Sequence, residues 1–138
     1  MRLSALFILL CLLINCNSTK RLSIINPDLN GEWIPVKQEL GGKTVPASIM
    51  AKEKLTISGT NYTFVAESVD KGVVKYNGNK MDIYGKQGVN SGKHFRAIYK
   101  FENHQLSICY NLNGDSYPAS FDTGGNPALF LSVFTKAQ

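Results

Sequence analysis

Residues 73–84, VVKYNGNKMDIY, decide the fold, because two short alternations of apolar and polar side chains surround the tripeptide Asn77-Gly78-Asn79. Alternation with a period of two is typical of a half-buried β-strand, whose successive side chains point to opposite faces. Asn-Gly tolerates the positive φ angles that a tight hairpin turn needs. The segment therefore predicts two antiparallel strands joined by a short turn.

The same period of two continues on both sides of this hairpin. The other alternating segments are 55–57, 62–66, 94–101, 105–110 and 128–136. Residues 58–61 have the composition of a turn, so the first two of these segments predict a second hairpin. One short helical turn is predicted from Pro46 to Lys52, since proline is tolerated in the first turn of a helix.

The first predicted strand begins near Trp33 and precedes both hairpins. Strict alternation would place four side chains on the face opposite Trp33, namely Ile34, Val36, Gln38 and Leu40. Pro35 lacks the N–H that a central strand donates, which predicts that this strand lies at a sheet edge or contains a bulge.

The strand count predicts the architecture of residues 29–138. About eight short strands follow one another with no helix long enough for a parallel crossover, so the sheet should be antiparallel. An all-β, up-and-down β-barrel of about eight strands fits this count and removes the free sheet edges. Such a barrel is either filled by side chains or holds one small ligand. A two-sheet sandwich is the alternative.

Length and composition limit the protein class. A chain of 138 residues has room for one domain, and 43% apolar with 18% charged residues is typical of a folded protein rather than a disordered one. The formal net charge of +5 comes from basic residues scattered along the chain. Because they form no basic stripe, the sequence does not favour a nucleic-acid partner.

The N-terminus has the pattern of an export signal. Arg2 precedes an apolar run from Leu3 to Ile14, which is too short to cross a bilayer. The run ends in Leu13-Ile14-Asn15-Cys16, which resembles the lipobox of bacterial lipoproteins, although Asn15 stands where a smaller residue is usual.

The resemblance implies a signal peptide at residues 1–15, lipid attached to Cys16 and a tether through residue 28. It also implies export and anchoring to the bacterial cell envelope, where we expect the outer membrane. An ordinary signal cut near Ser18 and an uncleaved anchor are the alternatives.

Cys109 is the one cysteine of the predicted barrel, because Cys11 and Cys16 lie in or beside the signal. No disulfide can therefore form within the domain. Cys109 alternates with Leu106 and Ile108 on its strand, so it faces either solvent or a second apolar layer. We expect a buried and unreactive thiol, since free cysteine is among the most buried residue types.

A family resemblance covers Leu29 to Lys136. It is carried by LNGEW at the start, followed in order by GGKTVP, KLTISGTNYTF, FRAIYKFENHQLSICYN, YPASF and LFLSVFTK. This series resembles the lipocalin-like domain of bacterial proteins that form a planctomycete-type paralogous group, which implies a small β-barrel. Gly31-Glu32-Trp33 also resembles the opening signature of true lipocalins, whose tryptophan closes the narrow end of the barrel under a basic side chain, here Lys136.

The sequence contains no recognisable catalytic or metal-binding constellation. His94 and His104 lie outside metal-ligand spacing of a cysteine or of each other, and no serine has a Gly-x-Ser-x-Gly setting. The loop of residues 111–127 lacks the regular alternation of a calcium loop. We therefore predict a protein that is not an enzyme and uses no metal or cofactor.

Two functions remain compatible with these patterns. The first is a membrane-anchored, lipocalin-like module that binds a small hydrophobic ligand, and the second is a filled barrel that binds an envelope protein through residues 85–93 and 111–127, like a periplasmic inhibitor or immunity factor. The side chains predicted to form the barrel floor or to line a ligand site are Trp33, Tyr62, Phe64, Tyr99, Phe101 and Tyr110.

Overall fold

The computed structural model describes residues 28–138. The predicted signal peptide, Cys16 and all of the predicted tether except Asp28 lie outside the described residues. The elements, in chain order, are β1 (Gly31–Leu40), β2 (Lys43–Thr44), α1 (Ala47–Met50), β3 (Lys54–Ser58), β4 (Asn61–Val65), β5 (Val69–Asn77), β6 (Lys80–Gln87), β7 (His94–Glu102), β8 (Gln105–Asn111) and β9 (Leu129–Lys136). Between residues 28 and 138, no helix has the length and apolar character needed to cross a membrane.

Eight of the strands form a closed antiparallel barrel. From β3 to β9 each strand pairs with the next one along the chain, and β1 closes the barrel by pairing with both β3 and β9. The two-residue strand β2 pairs only with the last two residues of β1. This topology confirms the predicted up-and-down barrel with one short helix and excludes the two-sheet sandwich.

The two ends of the barrel differ in how their strands are connected. At one end, three two-residue turns join β3 to β4, β5 to β6 and β7 to β8. Gly78 has a φ of 59°, and Asn103 and His104 have φ values of 52° and 61°, as tight hairpin turns require. At the other end lie the longer connections, residues 41–53, 66–68, 88–93 and 112–128. We call these the turn end and the loop end.

The predicted faces of β1 are wrong after the bulge at residues 35–37. A bulge interrupts the pairing with β9, in which Pro35 lies opposite Phe134 but Lys37 lies opposite Val133. The extra residue shifts the alternation by one position, so Gln38 is buried on the same face as Trp33. Ile34 and Val36 are exposed on the face opposite Trp33, as predicted, whereas Leu40, which pairs with the cavity residue Phe130, shares the face of Gln38. The prediction of a bulge or edge at Pro35 itself is confirmed.

Apolar side chains pack in two separate layers. The main core lies inside the barrel and includes Trp33, Met81 and Leu106. A smaller cluster lies on the outer face of β7, β8 and β9, where Ile98, Cys109 and Leu131 are neighbours across the strands. Tyr117 and Phe121, both in the long connection between β8 and β9, pack over this cluster. The long connection therefore covers one side of the barrel.

Candidate functional site

The barrel interior contains a cavity of about 200 Å³ near the loop end. Aromatic rings form much of its wall, contributed by Tyr62, Phe64, Tyr76, Phe95, Tyr110, Phe130 and Phe134. Aliphatic side chains, among them Leu55, Ile83 and Ile108, fill the spaces between the rings. For scale, an apolar cavity of about 150 Å³ is large enough to bind benzene. The volume here suits one small cyclic molecule and is too small to enclose a long acyl chain.

Trp33 lies below this cavity, at the turn end. Its side chain is 1% exposed, and its indole Nε1 donates a hydrogen bond of 2.9 Å to the carbonyl oxygen of Leu29. The ring of Phe101 meets it edge-on at 6.0 Å between centroids. Lys136, on the last strand, places Nζ 5.5 Å from the centre of a Trp33 ring. Trp33, Phe101 and Lys136 together form the floor of the barrel.

Tyr99 lines a second, smaller hollow at the turn end rather than the main cavity. This hollow has a volume of about 170 Å³ and is also bordered by Asp28 and Leu29. Tyr76 lies between the two spaces, borders both of them and packs edge-on against Tyr99 at 5.9 Å. The buried Oη of Tyr76 has no hydrogen-bond partner among the described residues. It is therefore available to a polar atom of a bound molecule.

The six predicted site residues thus separate into three groups. Tyr62, Phe64 and Tyr110 line the main cavity, whereas Tyr99 lines the second hollow. Trp33 and Phe101 belong to the floor. Burial in the cavity wall raises the pKa of Tyr62 and of Tyr110, so both phenols stay neutral at physiological pH.

Four polar side chains of the cavity wall were not predicted from the sequence, namely Gln38, Asp70, Asn90 and Ser132. The Nε2 atom of Gln38 donates to Oε2 of Glu53 at 2.5 Å and lies 3.3 Å from Oγ of Ser132. Burial raises the pKa of the Glu53 carboxyl despite that hydrogen bond. The bulge after Pro35 directs Gln38 into the barrel. Pro35 was therefore the one sequence signal that the alternation could break before Gln38.

Asp70 fixes a loop at the cavity mouth. Its Oδ1 accepts a hydrogen bond of 3.0 Å from the backbone N–H of Asn90, and its Oδ2 accepts one of 2.9 Å from Nδ2 of the same residue. The loop approaches β6 so closely that a Cβ atom on Gly85 would lie 1.8 Å from the carbonyl oxygen of Asn90. Residues 88–93 are therefore held in one position beside the opening.

A polar cluster on the outer face holds the long connection in place. Asp82, on β6, accepts a hydrogen bond of 2.6 Å from the phenol of Tyr117 and lies 2.7 Å from Nε2 of His94. His94 in turn stacks on Tyr84 with 4.4 Å between ring centroids. The hydrogen bond from Tyr117 is the largest influence that holds the pKa of Asp82 below its ordinary value. This cluster lies outside the cavity.

Cys109 also lies outside the cavity. Its side chain is fully buried, with 0% exposure, in the outer apolar cluster. Of the two surroundings predicted for it, the second apolar layer is the one that the structure contains. Burial raises the pKa of its thiol to about 11, so the nucleophilic thiolate is scarce near neutral pH.

The fold and the cavity define a class of structure, a closed eight-stranded antiparallel barrel with a partly open apolar interior. Within the described part of the chain, no three His, Cys, Asp or Glu residues are grouped as metal ligands would be. No family model, no curated protein and no solved structure matches this chain.

Proposed function

We propose that the protein is a membrane-anchored, lipocalin-like binding module that is not an enzyme and that holds one small, largely apolar molecule in the barrel. The observation that carries the proposal is the cavity, whose wall combines many apolar side chains with a few polar ones. Ligand sites commonly have this composition, in which apolar area supplies affinity and a few polar groups orient the ligand. The anchor is the lipid proposed for Cys16, with residues 16–28 as its tether.

The shape of the barrel supports a ligand that enters at the loop end. Trp33 and Phe101 form the floor at the turn end, and Tyr76 lies between the cavity and the second hollow there. Asp70, Asn90 and Leu112 border the cavity near the longer connections. A molecule entering there would displace water from aromatic and aliphatic surface, which is favourable at about 25 cal/mol per Å² of apolar area.

A direct test measures the binding of 2-phenylethanol, a small neutral probe, to the full chain by isothermal titration calorimetry. Ile83 lines the cavity, so Ile83→Trp should fill part of it and abolish binding. Ile34→Trp makes the same change on the outer face of β1, where the side chain is 37% exposed, and should leave binding unchanged. Equal binding by the two variants would contradict the proposal.

A second function, binding of an envelope protein, is favoured by the rim of the loop end. Five exposed apolar side chains lie at the loop end, namely Leu40, Ile49, Val69, Val89 and Leu112. Val89 is 67% exposed and lies within residues 85–93, one of the two segments predicted to contact a partner. Clusters of exposed apolar side chains mark interaction surfaces more often than isolated ones do. Loss of a co-purifying envelope protein in Val89→Asp, with ligand binding retained, would support this function.

A further inference from the structure

One carboxylate lies in the wall of the cavity. Among the described residues that line it, Asp70 is acidic and none is lysine, arginine or histidine. One charged group of each sign lies just behind the wall: Glu53 accepts a hydrogen bond from the cavity residue Gln38, and Lys93 donates one of 3.3 Å to Oδ1 of the cavity residue Asn90. The chain as a whole is basic, with a formal net charge of +5, so a lining whose one charged side chain is acidic is a local feature.

Asp70 can accept more hydrogen bonds than it does. It is 6% exposed, and its two bonds from Asn90 leave part of its accepting capacity free, since a carboxylate has about four lone-pair sites. Within residues 28–138, neither Asp70 nor Glu53 takes part in an ion pair. A buried carboxylate without a cationic partner favours any cation that can reach it.

Aromatic rings lie where such a cation would be held. Phe64 is directly opposite Asp70 across β4 and β5, and Tyr62 is opposite Gly72, two residues further along β5. A Cβ atom on Gly72 would lie 2.6 Å from the Tyr62 ring, so the missing side chain lets that ring lie against β5. The face of an aromatic ring attracts an ammonium group, and the attraction is stronger where water is excluded.

We propose that the ligand is a small arylalkyl amine, bound as its ammonium ion. The ammonium group lies at the mouth, between Asp70 and the rings of Phe64 and Tyr62. The aryl body lies deeper in the barrel against Ile83 and Ile108. This inference rests on the proposed function, because it specifies the molecule that the cavity holds. The acidic lining and the volume of about 200 Å³ both disfavour a long-chain fatty acid.

Three probes that share a phenyl ring test the head group by isothermal titration calorimetry on the full chain, at neutral pH. They are 2-phenylethylamine, which is cationic, 2-phenylethanol, which is neutral, and phenylacetate, which is anionic. The amine should bind about tenfold tighter than the alcohol, since a charge-assisted hydrogen bond and cation–π attraction are added. Phenylacetate should bind more weakly than the alcohol.

Substitutions of the carboxylates test whether they cause the tighter binding of the amine. Asp70→Asn should lower affinity for the amine about tenfold and change affinity for the alcohol less than about twofold. Glu53→Gln removes the negative charge of the second carboxyl but keeps an oxygen that can accept the hydrogen bond from Gln38. This substitution leaves the loop that Asp70 holds undisturbed. Glu67→Gln removes an exposed carboxylate at the same end of the barrel and should change neither affinity.

The outcomes separate this inference from the proposed function. If the alcohol binds and the amine binds no tighter, the amine inference is wrong while the cavity remains a ligand site. If none of the three probes binds, the proposed function fails and the amine inference fails with it. Should Asp70→Asn not fold, the three probes on the wild-type protein still decide whether the amine is preferred.

Discussion

Tyr117 donates a hydrogen bond of 2.6 Å to Asp82, although 35 positions separate the two residues in the chain. The bond joins the long connection between β8 and β9 to the outer face of β6. Tyr117 also packs on the apolar cluster that contains Cys109. The position of the long connection, and with it the burial of that thiol, therefore depends on a polar contact at the surface.

Removing the Tyr117 hydroxyl should make Cys109 accessible. Tyr117→Phe loses the bond to Asp82, which favours opening of the connection and exposes the thiol. Mass spectrometry of the Cys109 peptide after a short pulse of thiol reagent should find little labelling in the native wild-type protein and faster labelling in the variant. Tyr84→Phe, which removes a hydroxyl with no hydrogen-bond partner among the described residues, is the control. Equal labelling of all three proteins would contradict the role of Tyr117.

The contribution of Asp82 to stability should depend on pH. Because its folded-state pKa is lowered, chiefly by the hydrogen bond from Tyr117, its charge stabilises the fold above the ordinary aspartate pKa. This stabilisation is lost as pH falls through the lowered folded-state value. Thermal melting should find Asp82→Asn less stable than the wild type at neutral pH, and the difference should shrink as pH falls through the lowered folded-state pKa. A difference that stays constant with pH would argue against an ionic contribution.

Trp33→Ala should destabilise the fold by about 3 to 5 kcal/mol, the usual range for removing a large buried aromatic side chain. The variant loses the packing on Phe101 and leaves the carbonyl of Leu29 without its indole donor. Denaturant unfolding measures the loss. Since Trp33 is the single tryptophan, wild-type fluorescence reports it alone and should be blue-shifted and protected from quencher. An indole that quenchers reach freely would be incompatible with a closed floor.

Cys16 should carry lipid in the mature protein. The prediction depends on the apolar run that ends in Leu13-Ile14-Asn15-Cys16. Growth of a bacterial host with labelled palmitate should label the wild-type protein and not Cys16→Ser. Cys109→Ser is the matched control, because it removes the thiol of the folded domain and should leave labelling unchanged. Equal labelling of the wild type and Cys16→Ser would mean that no lipid is attached at this position.

Local pattern was sufficient to predict the barrel but not all of its interior. The hairpin around Gly78 has its turn and its alternation in adjacent residues, so both strands could be identified. In β1 the bulge after Pro35 reversed the alternation, and Gln38 was assigned to the wrong face. A single proline indicates that a bulge is possible, but its register depends on the pairing with β9, which is distant in the chain.

The polar part of the cavity depends on contacts that no local pattern contains. Asp70 and Asn90 are 20 positions apart, and their hydrogen bonds form only when the loop folds back on β6. The surroundings of Cys109 raise the same difficulty. Alternation assigned it to one face of β8, but the long connection that covers this face is irregular in sequence, so solvent and a second apolar layer could not be distinguished.

The contrast between the two ends of the barrel has a consequence for how such a molecule can diversify. A residue inserted into the turn at Gly78 would shift the register of β5 against β6 and turn core side chains outward. An insertion in residues 112–128 would lengthen a connection that already has an irregular path, at a small entropic cost. The connections around the mouth can therefore change in length and sequence while the floor at Trp33 stays constant, so the residues that fix the barrel are separate from those that shape its opening.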